Sequence, residues 1–333
     1  MVSKVTNLLA LADNNLDYIE GRYKMRKLDF ICVGFAKSGT TTLYNVLKQH
    51  PQIYLSRIKE PVFWNDKIAL KRGKNWYFNR YYRGVSTNQI IGEINPQITN
   101  GAKHEPMIAQ VLKKNGKIIF IMRNPVERLY SHFFMNLLWG DSDNTDLKNY
   151  SRIFDNFVEQ TYRELHNKNS NQLYNIDPFS FGNYSYYLAS YRKRFGKENI
   201  FTLIFEEFIQ DIHKSCKEVF DFLEISHEIL KYNIKSNEGN YLPKNVMCMR
   251  FNGVWYNKIW PFICRNVDIN QTIDEIMDKR LNWDMRTNRI LLNPVQNRKV
   301  ISRKSRILLQ EMFAPEIENV ENLLDRTLEG IWY

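Results

Sequence analysis

The sequence predicts an α/β fold in which a central, mainly parallel sheet is flanked by helices and followed by a helical C-terminal part. Three observations predict this fold. Segments with strand character alternate with segments of helix character along much of the chain. One strand segment, 117–122, is apolar after its first residue, as in strands buried on both faces of a parallel sheet. At 30–49 an apolar run, a loop bracketed by glycines and an amphipathic segment follow one another.

The expected elements follow in chain order. The segments that predict strands are 30–33, 52–55, 90–96 with a proline stop, 117–122 and 199–205. The segments that predict helices are 40–49, 105–114, one opened by Asn124-Pro125, 152–166, 182–195, 212–223, 303–313 and 315–328.

Nothing between residues 29 and 333 marks a domain boundary, so we expect one domain over 29–333. Residues 1–28 are expected to form a helical or loose leader. Residues 139–180 are polar and irregular, and we expect them to be an insertion in the domain.

Composition narrows the class of protein. The apolar fraction is 44%, and 47 Lys and Arg residues against 36 Asp and Glu give a net charge of +11. That surplus indicates either a solubilising surface or attraction of an anionic ligand. The chain shows no dense basic run, so we do not expect nucleic-acid binding. Its four cysteines and six histidines show no metal-ligand spacing, and we expect no metal and reduced thiols.

Residues 34–43 predict an anion-binding loop at the start of a helix, where backbone N–H groups have no partner and the helix dipole is positive. The triphosphate-binding template G-x-x-x-x-G-K-[ST] fits Gly34 and Gly39, but Thr40 stands where the lysine belongs. The lysine is instead Lys37, inside the loop. The later strand ends in Arg123 rather than in a carboxylate for Mg²⁺. The loop therefore predicts binding of a phosphorylated anion without the usual metal.

A second phosphate site is predicted near the first. Arg123 follows one strand, and Ser131 lies about two turns into the next helix. Ligands of parallel sheets gather at the carboxyl ends of strands, so both side chains are expected near Lys37. The planar fork of arginine suits phosphate. The alternatives are an ordinary surface ion pair for Arg123 and a helix-face serine for Ser131.

Several motifs resemble the PAPS-dependent sulfotransferases, in particular their carbohydrate-type and bacterial branch. Residues 34–43 with His50-Pro51 resemble the family's 5′-phosphosulfate loop, and residues 123–132 resemble its 3′-phosphate motif. Residues 59–64 are similar to the segment that carries the family's catalytic glutamate. The likeness spans roughly 29–332 and extends to Gly182-Asn-Tyr184 and to the ending 306–332.

The resemblance implies the P-loop-like sulfotransferase fold and 3′-phosphoadenosine 5′-phosphosulfate (PAPS) as donor, with adenosine 3′,5′-bisphosphate (PAP) as product and no metal. The residues that it implies for the 5′ end are Lys37, Ser38, Gly39, Thr40, Thr41 and Thr42. Arg123 and Ser131 would hold the 3′-phosphate. Tyr184 and, more weakly, Lys244 would contact the nucleotide.

The same resemblance makes Glu60 the expected general base and Lys37 the group that neutralises the leaving phosphate. The alternative for Glu60 is a solvated ion pair with Lys59. His132 is the substitute base. The alternative interpretation of His132 is a non-catalytic histidine that packs near the site. Heparan-modifying members often have lysine after the glutamate of the third strand, whereas this chain has Glu93-Ile94, which weakens the case for a heparan-like acceptor.

We expect the acceptor to be a small natural product or a sugar, recognised by the insertion 139–180 and by aromatic residues within 63–82. Two other functions stay open at this point, namely a P-loop kinase or NTPase and a non-catalytic nucleotide-binding protein. No signal peptide or membrane span is apparent, so a cytoplasmic location is the default expectation.

Overall fold

The computed structural model describes residues 16–19, 22–99, 104–139, 150–168, 178–228, 241–243, 246–266, 292–294 and 301–333. Within these ranges the strands are β1 Leu16–Ile19, β2 Arg22–Met25, β3 Leu28–Gly34, β4 Ile53–Leu55, β5 Ile90–Ile94, β6 Leu112–Met122, β7 Ile200–Ile204, β8 Tyr241–Pro243 and β9 Leu292–Pro294.

The α-helices in the described residues are α1 Thr40–Leu47, α2 Lys67–Lys71, α3 Gly73–Tyr81, α4 Glu105–Val111, α5 Pro125–Trp139, α6 Tyr150–Lys168, α7 Tyr184–Phe195, α8 Phe205–Gln210, α9 Ile212–Leu223, α10 Val246–Val254, α11 Trp260–Asn266 and α12 Arg303–Leu324. Short 3₁₀ turns cover Pro96–Thr99, Phe179–Gly182 and Lys197–Asn199, and a π-helical turn, Trp255–Ile259, joins α10 to α11.

The central sheet is parallel and has the strand order β4-β5-β3-β6-β7. After β3 the chain first fills one side of the sheet, with β4 at the edge and β5 between β4 and β3, and then adds β6 and β7 on the other side. A crevice therefore opens beyond the carboxyl ends of β3 and β6, the position where sheets of this kind bind ligands. The α/β fold with a mainly parallel sheet is confirmed.

Both faces of the sheet are buried, as the apolar strand segments predict. Alternate residues of β3 enter two separate clusters, with Ile31 and Val33 in one and Phe30 and Cys32 in the other. Helices α1 and α9 cover the second face, where the predicted apolar side of α1 is buried. Helices α5, α7 and α12 contribute to the first.

Three predicted element bounds were wrong. Helix α4 ends at Val111 instead of 114, because Leu112 already pairs with Leu28 in the sheet. Phe205 opens α8 instead of ending a strand. The two late helices are one helix, α12, with Pro315 inside it.

The continuity of α12 has a physical reason. The buried side chains Leu309, Phe313, Ile317 and Val320 recur every three or four residues across the proline. Their burial outweighs the lost N–H group and the ring clash at Pro315, which cost about 3 kcal/mol.

At the start of the chain, β1 and β2 form an antiparallel pair where the sequence predicts a helical or loose segment. The structure also describes a helix, α6, inside the predicted insertion, close to its expected bounds. Among the described helices, none combines the length and the apolar content needed to cross a bilayer.

Candidate functional site

The loop between β3 and α1 presents the positive end of a helix to the crevice. Gly39 precedes α1 in the left-handed conformation, with φ +89°, and no side chain caps the helix. The first turn also contains no acidic residue. The N–H groups of that turn therefore lack both an intrahelical partner and a capping side chain, the arrangement that binds anions.

The loop is closely packed, which explains its glycine. A Cβ at Gly39 would lie 2.7 Å from the ring of Phe205, and its φ already disfavours any other residue. The hydroxyl-bearing residues Ser38, Thr40 and Thr42 are buried, whereas Thr41 is half-buried. Ser38 Oγ makes no well-formed hydrogen bond within the described part of the chain, although this hydroxyl lies close enough to Tyr184 to lower the pKa of that phenol. An incoming anion would satisfy such a buried hydroxyl.

Arg123 lies at the end of β6, beside the Lys37 loop. Its Nη1 donates to the carbonyl oxygen of Lys37 at 3.2 Å, and its guanidinium lies over the Phe205 ring at 4.8 Å. Among the described residues its buried Nε has no hydrogen-bond partner. Burial lowers the pKa of Arg123 from its ordinary value, but an arginine stays cationic at neutral pH. The structure thus brings the two predicted phosphate-binding motifs together.

Tyr184 holds the backbone of Arg123 in place through a hydrogen bond. Its side chain is fully buried, and its hydroxyl donates to the Arg123 carbonyl at 2.8 Å. Burial raises the pKa of Tyr184 to about 12, so the phenol keeps its proton. The ring packs against Phe35 at 4.4 Å and Trp332 at 5.9 Å. Direct contact between Tyr184 and a nucleotide stays a prediction.

A carboxylate outside the predicted set organises the turn after β6. Glu206 accepts hydrogen bonds from the backbone N–H of Asn124 at 3.0 Å and from Trp332 Nε1 at 3.0 Å. Asn124 Nδ2 donates in turn to the Trp332 carbonyl at 2.6 Å. The C-terminal end of the chain is thereby attached next to Arg123.

Helix α5 carries Ser131 and His132, and His132 lies near enough to the loop to feel the charge of Lys37. Ser131 is half-buried, while His132 is buried against Phe181. Burial, together with the charges of Arg128 and Lys37, holds the pKa of His132 well below its usual range. His132 is therefore neutral, and it feels the charge of Lys37.

The hydrogen bond to Arg128 assigns the tautomer of His132. Arg128 Nη1 lies 3.0 Å from His132 Nδ1, and a guanidinium can only donate. Nδ1 therefore accepts, and the ring proton resides on Nε2. In this tautomer neither ring nitrogen is placed to take a proton from a substrate.

Glu60 and Lys37 share an unusual backbone conformation. Four non-glycine residues in the described chain have positive φ. Two of them, Glu224 and Asp325, are the C-caps of α9 and α12, where this conformation is common. The other two are Lys37, with φ 69°, and Glu60, with φ 59°. Such strained residues cluster at functional sites.

Glu60 lies in the segment between β4 and α2 and forms an ion pair with Lys59 through Oε1. The charge of Lys59 acts on Cys32, whose thiol contacts the Gly34 carbonyl at the start of the loop. Both the Glu60 segment and the Lys37 loop therefore adjoin the carboxyl end of β3.

A buried carboxylate, Glu93 at the end of β5, anchors the Glu60 segment. Glu93 Oε1 accepts from Trp64 Nε1 at 2.6 Å and from Asn95 Nδ2 at 3.1 Å. Asn95 Nδ2 also donates to the Pro61 carbonyl at 3.1 Å. Pro61 and Trp64, which follow Glu60 in the chain, are in this way tied to the sheet.

The other oxygen of Glu93 faces two phenols. The Tyr82 hydroxyl donates to Oε2 at 2.9 Å, and the Tyr77 hydroxyl contacts the same atom. Burial raises the pKa of Glu93, although all four donors oppose that shift. A signal for this network was present in the sequence, since Glu93 interrupts an otherwise apolar strand.

The structure tests the predicted role of the aromatic residues in 63–82, but not the roles of Lys244 and of much of the insertion. Six aromatic rings of the range 63–82 are buried in the core, and for these the predicted contact with an acceptor was wrong: Phe63, Trp64, Tyr77, Phe78, Tyr81 and Tyr82. Three of them, Trp64, Tyr77 and Tyr82, contact Glu93 instead. For Trp76, which is half-buried, the contact with an acceptor stays a prediction. Lys244 lies outside the described residues, as do 140–149 and 169–177 of the predicted insertion. Their roles stay predictions.

The described residues contain no group of three or more His, Cys, Asp or Glu side chains that could hold a metal ion. The four cysteines are not joined in disulfides.

Comparison with known proteins relates this geometry to one family. The sequence model of the family described as "Sulfotransferase domain" matches residues 27–248. The "Membrane-associated sulfotransferase kil1" of Dictyostelium discoideum is 35% identical over 113 residues, which cover 33% of this chain and 23% of that protein. The "Carbohydrate sulfotransferase 15" of Mus musculus is 25% identical, and the match covers 63% of this chain and 46% of that protein. The matches thus span less than half the length of these curated relatives.

A solved structure extends the likeness to the fold. The crystal structure of a sulfotransferase from Alicyclobacillus acidocaldarius aligns with a TM-score of 0.56 and covers 92% of this chain and 99% of that chain. The two sequences are 19% identical, so this likeness concerns the fold.

Proposed function

The chain belongs to the sulfotransferase family, and on that premise we propose that it transfers a sulfuryl group from PAPS to a hydroxyl or amine. The observation that carries this proposal is the meeting of two anion-binding elements at the crevice. The uncapped start of α1 with Lys37 is one, and Arg123 is the other. A donor with phosphate groups at its 5′ and 3′ positions matches two such elements side by side.

The residues present fit this donor. Ser38 Oγ and Arg123 Nε are buried polar atoms without a well-formed hydrogen bond to any described residue, and phosphate oxygens would accept from both. In the proposed complex, Lys37, the loop hydroxyls and the N–H groups of α1 hold the 5′-phosphosulfate. Arg123 and Ser131 hold the 3′-phosphate. Tyr184 keeps Arg123 in place through the Arg123 carbonyl.

Glu60 is the proposed base. Its carboxylate takes the proton of the acceptor group while the acceptor oxygen or nitrogen forms a bond to sulfur. The bond between sulfur and the oxygen of the 5′-phosphate breaks, and PAP leaves. Lys59 contacts Oε1 of Glu60, so Oε2 is the atom that receives the proton. A positioned general base contributes about 10²–10⁴-fold to the rate.

His132 is the weaker candidate for this step. Its Nδ1 accepts from Arg128, so the neutral ring carries its proton on Nε2 and has no nitrogen to offer as a base. We assign it instead to packing beside Lys37.

Lys37 and the α1 dipole neutralise the charge that builds on the leaving phosphate. Lys37 is half-buried, where a charge acts more strongly than in water. The two phosphate contacts hold the donor in one orientation, which sets the line of attack and departure.

The acceptor is proposed as a small natural product or a sugar, since the resemblance lies with the carbohydrate-type branch. The cytoplasmic location expected from the sequence also stays a prediction.

Two other functions make different predictions. A kinase or NTPase using the same loop requires Mg²⁺-dependent ATP turnover, but Thr40 replaces the loop lysine and Arg123 stands at the strand end where a Mg²⁺ carboxylate is common. A non-catalytic binding protein predicts tight PAP binding without transfer to any acceptor.

The test is a transfer assay with labelled donor and a panel of hydroxyl- and amine-bearing small molecules and glycans. We expect Glu60→Gln to abolish transfer while PAP binds with unchanged affinity, because the substitution removes the base and keeps the side-chain shape. His132→Gln serves as the matched control and should retain transfer. Full transfer by Glu60→Gln would remove Glu60 from the mechanism.

A further inference from the structure

A continuous helical rod, defined as residues 246–266, exposes an apolar stripe. The rod consists of α10, the π turn and α11. Ten large hydrophobic side chains are exposed among the described residues, and five of them lie on this rod. They are Met247, Phe251, Val254, Ile259 and Phe262, with exposures from 37% for Ile259 to 81% for Met247. Half of the exposed apolar side chains thus form one patch instead of being scattered.

The π turn keeps this stripe on one side of the rod. Met247, Phe251 and Val254 are spaced by four and three residues, as on one face of an α-helix. The Trp260 N–H then bonds the Trp255 carbonyl, five residues earlier. Because a π turn holds more residues than an α turn, Ile259 lies on the same side of the rod as Val254. Phe262, three residues further on, lies on that side as well. The opposite side holds the buried residues Met249, Trp260 and Cys264.

The surroundings of the stripe are basic. Arg250 and Lys258 are exposed on the same rod. The segment 67–83 lies against it, because Arg72 Nη1 donates to the Arg265 carbonyl at 2.8 Å and Arg80 Nε donates to the Cys264 carbonyl at 2.7 Å. Segments 67–83 and 246–266 contain six and three Lys or Arg residues and no Asp or Glu. One of these cations, Arg265, is paired with Asp66, and the others leave a surplus of positive charge.

We propose that the rod docks on the surface of an anionic lipid bilayer, with the stripe in the headgroup boundary and the basic residues at the phosphates. Apolar residues on one side and Lys or Arg beside them are the properties of helices that lie in a membrane interface. At 1.5 Å per residue the stripe from Met247 to Phe262 runs for about 22 Å along the rod, an extended contact that suits a plane. Two copies of the chain pairing through this surface would bring like charges together.

This docking is independent of the proposed transfer reaction, and its test needs no enzymatic activity. The full chain is sedimented with vesicles of phosphatidylcholine containing about 30% phosphatidylglycerol, and with vesicles of phosphatidylcholine alone. We expect binding to the anionic vesicles, weakened by added salt because the basic contacts are screened.

Three variants separate the contributions of the exposed rings and of the basic residues to vesicle binding. The double variant Phe251→Ser/Phe262→Ser should lower the vesicle partition coefficient about 10-fold or more, since it removes two exposed rings and no charge. Arg250→Glu/Lys258→Glu should lower binding to the anionic vesicles as well. Ile307→Ser, at a residue 52% exposed on α12, is the matched control and should bind like the wild type.

Unchanged thermal unfolding of each variant establishes that the fold is retained. Failure of the wild type to bind anionic vesicles would overturn the proposal. Equal binding by the wild type and the Phe251→Ser/Phe262→Ser variant would also overturn it, because binding would then follow from net charge alone. Light scattering that shows a dimer dissolved by this variant, without vesicle binding, would assign the stripe to a second copy.

Discussion

Replacement of Glu93 tests whether its buried network needs a negative charge or only the right hydrogen-bond acceptors. Oε1 receives two obligate donors, Trp64 Nε1 and Asn95 Nδ2, whereas Oε2 faces the hydroxyls of Tyr77 and Tyr82. In Glu93→Gln the amide oxygen can take the place of Oε1. The amide nitrogen then has two N–H groups for two hydroxyl oxygens that can rotate to accept. We therefore expect Glu93→Gln to fold with every partner satisfied.

Glu93→Ala leaves the same donors without an acceptor. The hydroxyls of Tyr77 and Tyr82 lie 3.2 Å apart and can pair with each other, but Trp64 Nε1 and one N–H of Asn95 cannot. An unsatisfied buried donor costs about 1–3 kcal/mol, so the free energy of unfolding should fall by about 2–6 kcal/mol. At about 2 °C per kcal/mol this corresponds to a Tm lowered by about 4–12 °C.

The assay is thermal unfolding of the wild type, Glu93→Gln and Glu93→Ala across a pH series. Burial raises the folded-state pKa of Glu93, so its stability contribution is complete below the ordinary value of 4.5 and is lost as the pH rises through the raised value. Glu93→Gln has no proton to lose there. The Tm of Glu93→Gln minus that of the wild type should therefore increase as the pH rises from about 4.5.

A Glu93→Gln protein that unfolds as easily as Glu93→Ala would refute this reasoning, because the carboxylate charge itself would then be required. The network also holds the Glu60 segment through Pro61. Transfer activity should accordingly persist in Glu93→Gln and fall in Glu93→Ala.

Three further substitutions test the two proposed phosphate-binding side chains and helix α12. Lys37→Ala should lower turnover about 10²-fold or more, since it removes the charge opposite the leaving phosphate, and near-normal turnover in the transfer assay would exclude that role. Arg123→Ala should weaken PAP about 10-fold or more and AMP much less in calorimetry, because only PAP carries the 3′-phosphate; equal losses for both would place Arg123 elsewhere. Pro315→Ala should raise the free energy of unfolding by about 1–3 kcal/mol, since residue 315 is exposed and would gain an N–H for the Glu311 carbonyl; a lower Tm would contradict the explanation given for α12.

The sequence predicted the centre of the fold because its signals there are local. The apolar run in β6, the glycines around Lys37 and the proline that opens α5 each specify their own conformation. The signals failed where long-range packing decides. Leu112 becomes a strand residue because it pairs with Leu28. Helix α12 continues through Pro315 because buried apolar residues follow the same helical spacing on both sides of the proline.

The candidate site shows the same division. The approach of Lys37 and Arg123 followed from two motifs and the rule that ligands gather at the carboxyl ends of parallel strands. The role of Glu206 depends on a partner, Trp332, that lies more than a hundred residues later in the chain. The role of Glu93 depends on its burial, which composition does not reveal. The buried aromatic residues within 63–82 were misinterpreted for the same reason, since exposed and buried rings look alike in a sequence.

Calorimetric titration of the protein with PAP, AMP and Mg²⁺-ATP under identical conditions tests the proposed donor site most directly. Two adjacent phosphate-binding elements predict one site for PAP, with an affinity about 10-fold or more above that for AMP, since the 3′-phosphate adds charge-assisted hydrogen bonds. They also predict that PAP binds more tightly than Mg²⁺-ATP. Absence of PAP binding, or a preference for Mg²⁺-ATP, would contradict the proposal that Lys37 and Arg123 hold a sulfuryl donor.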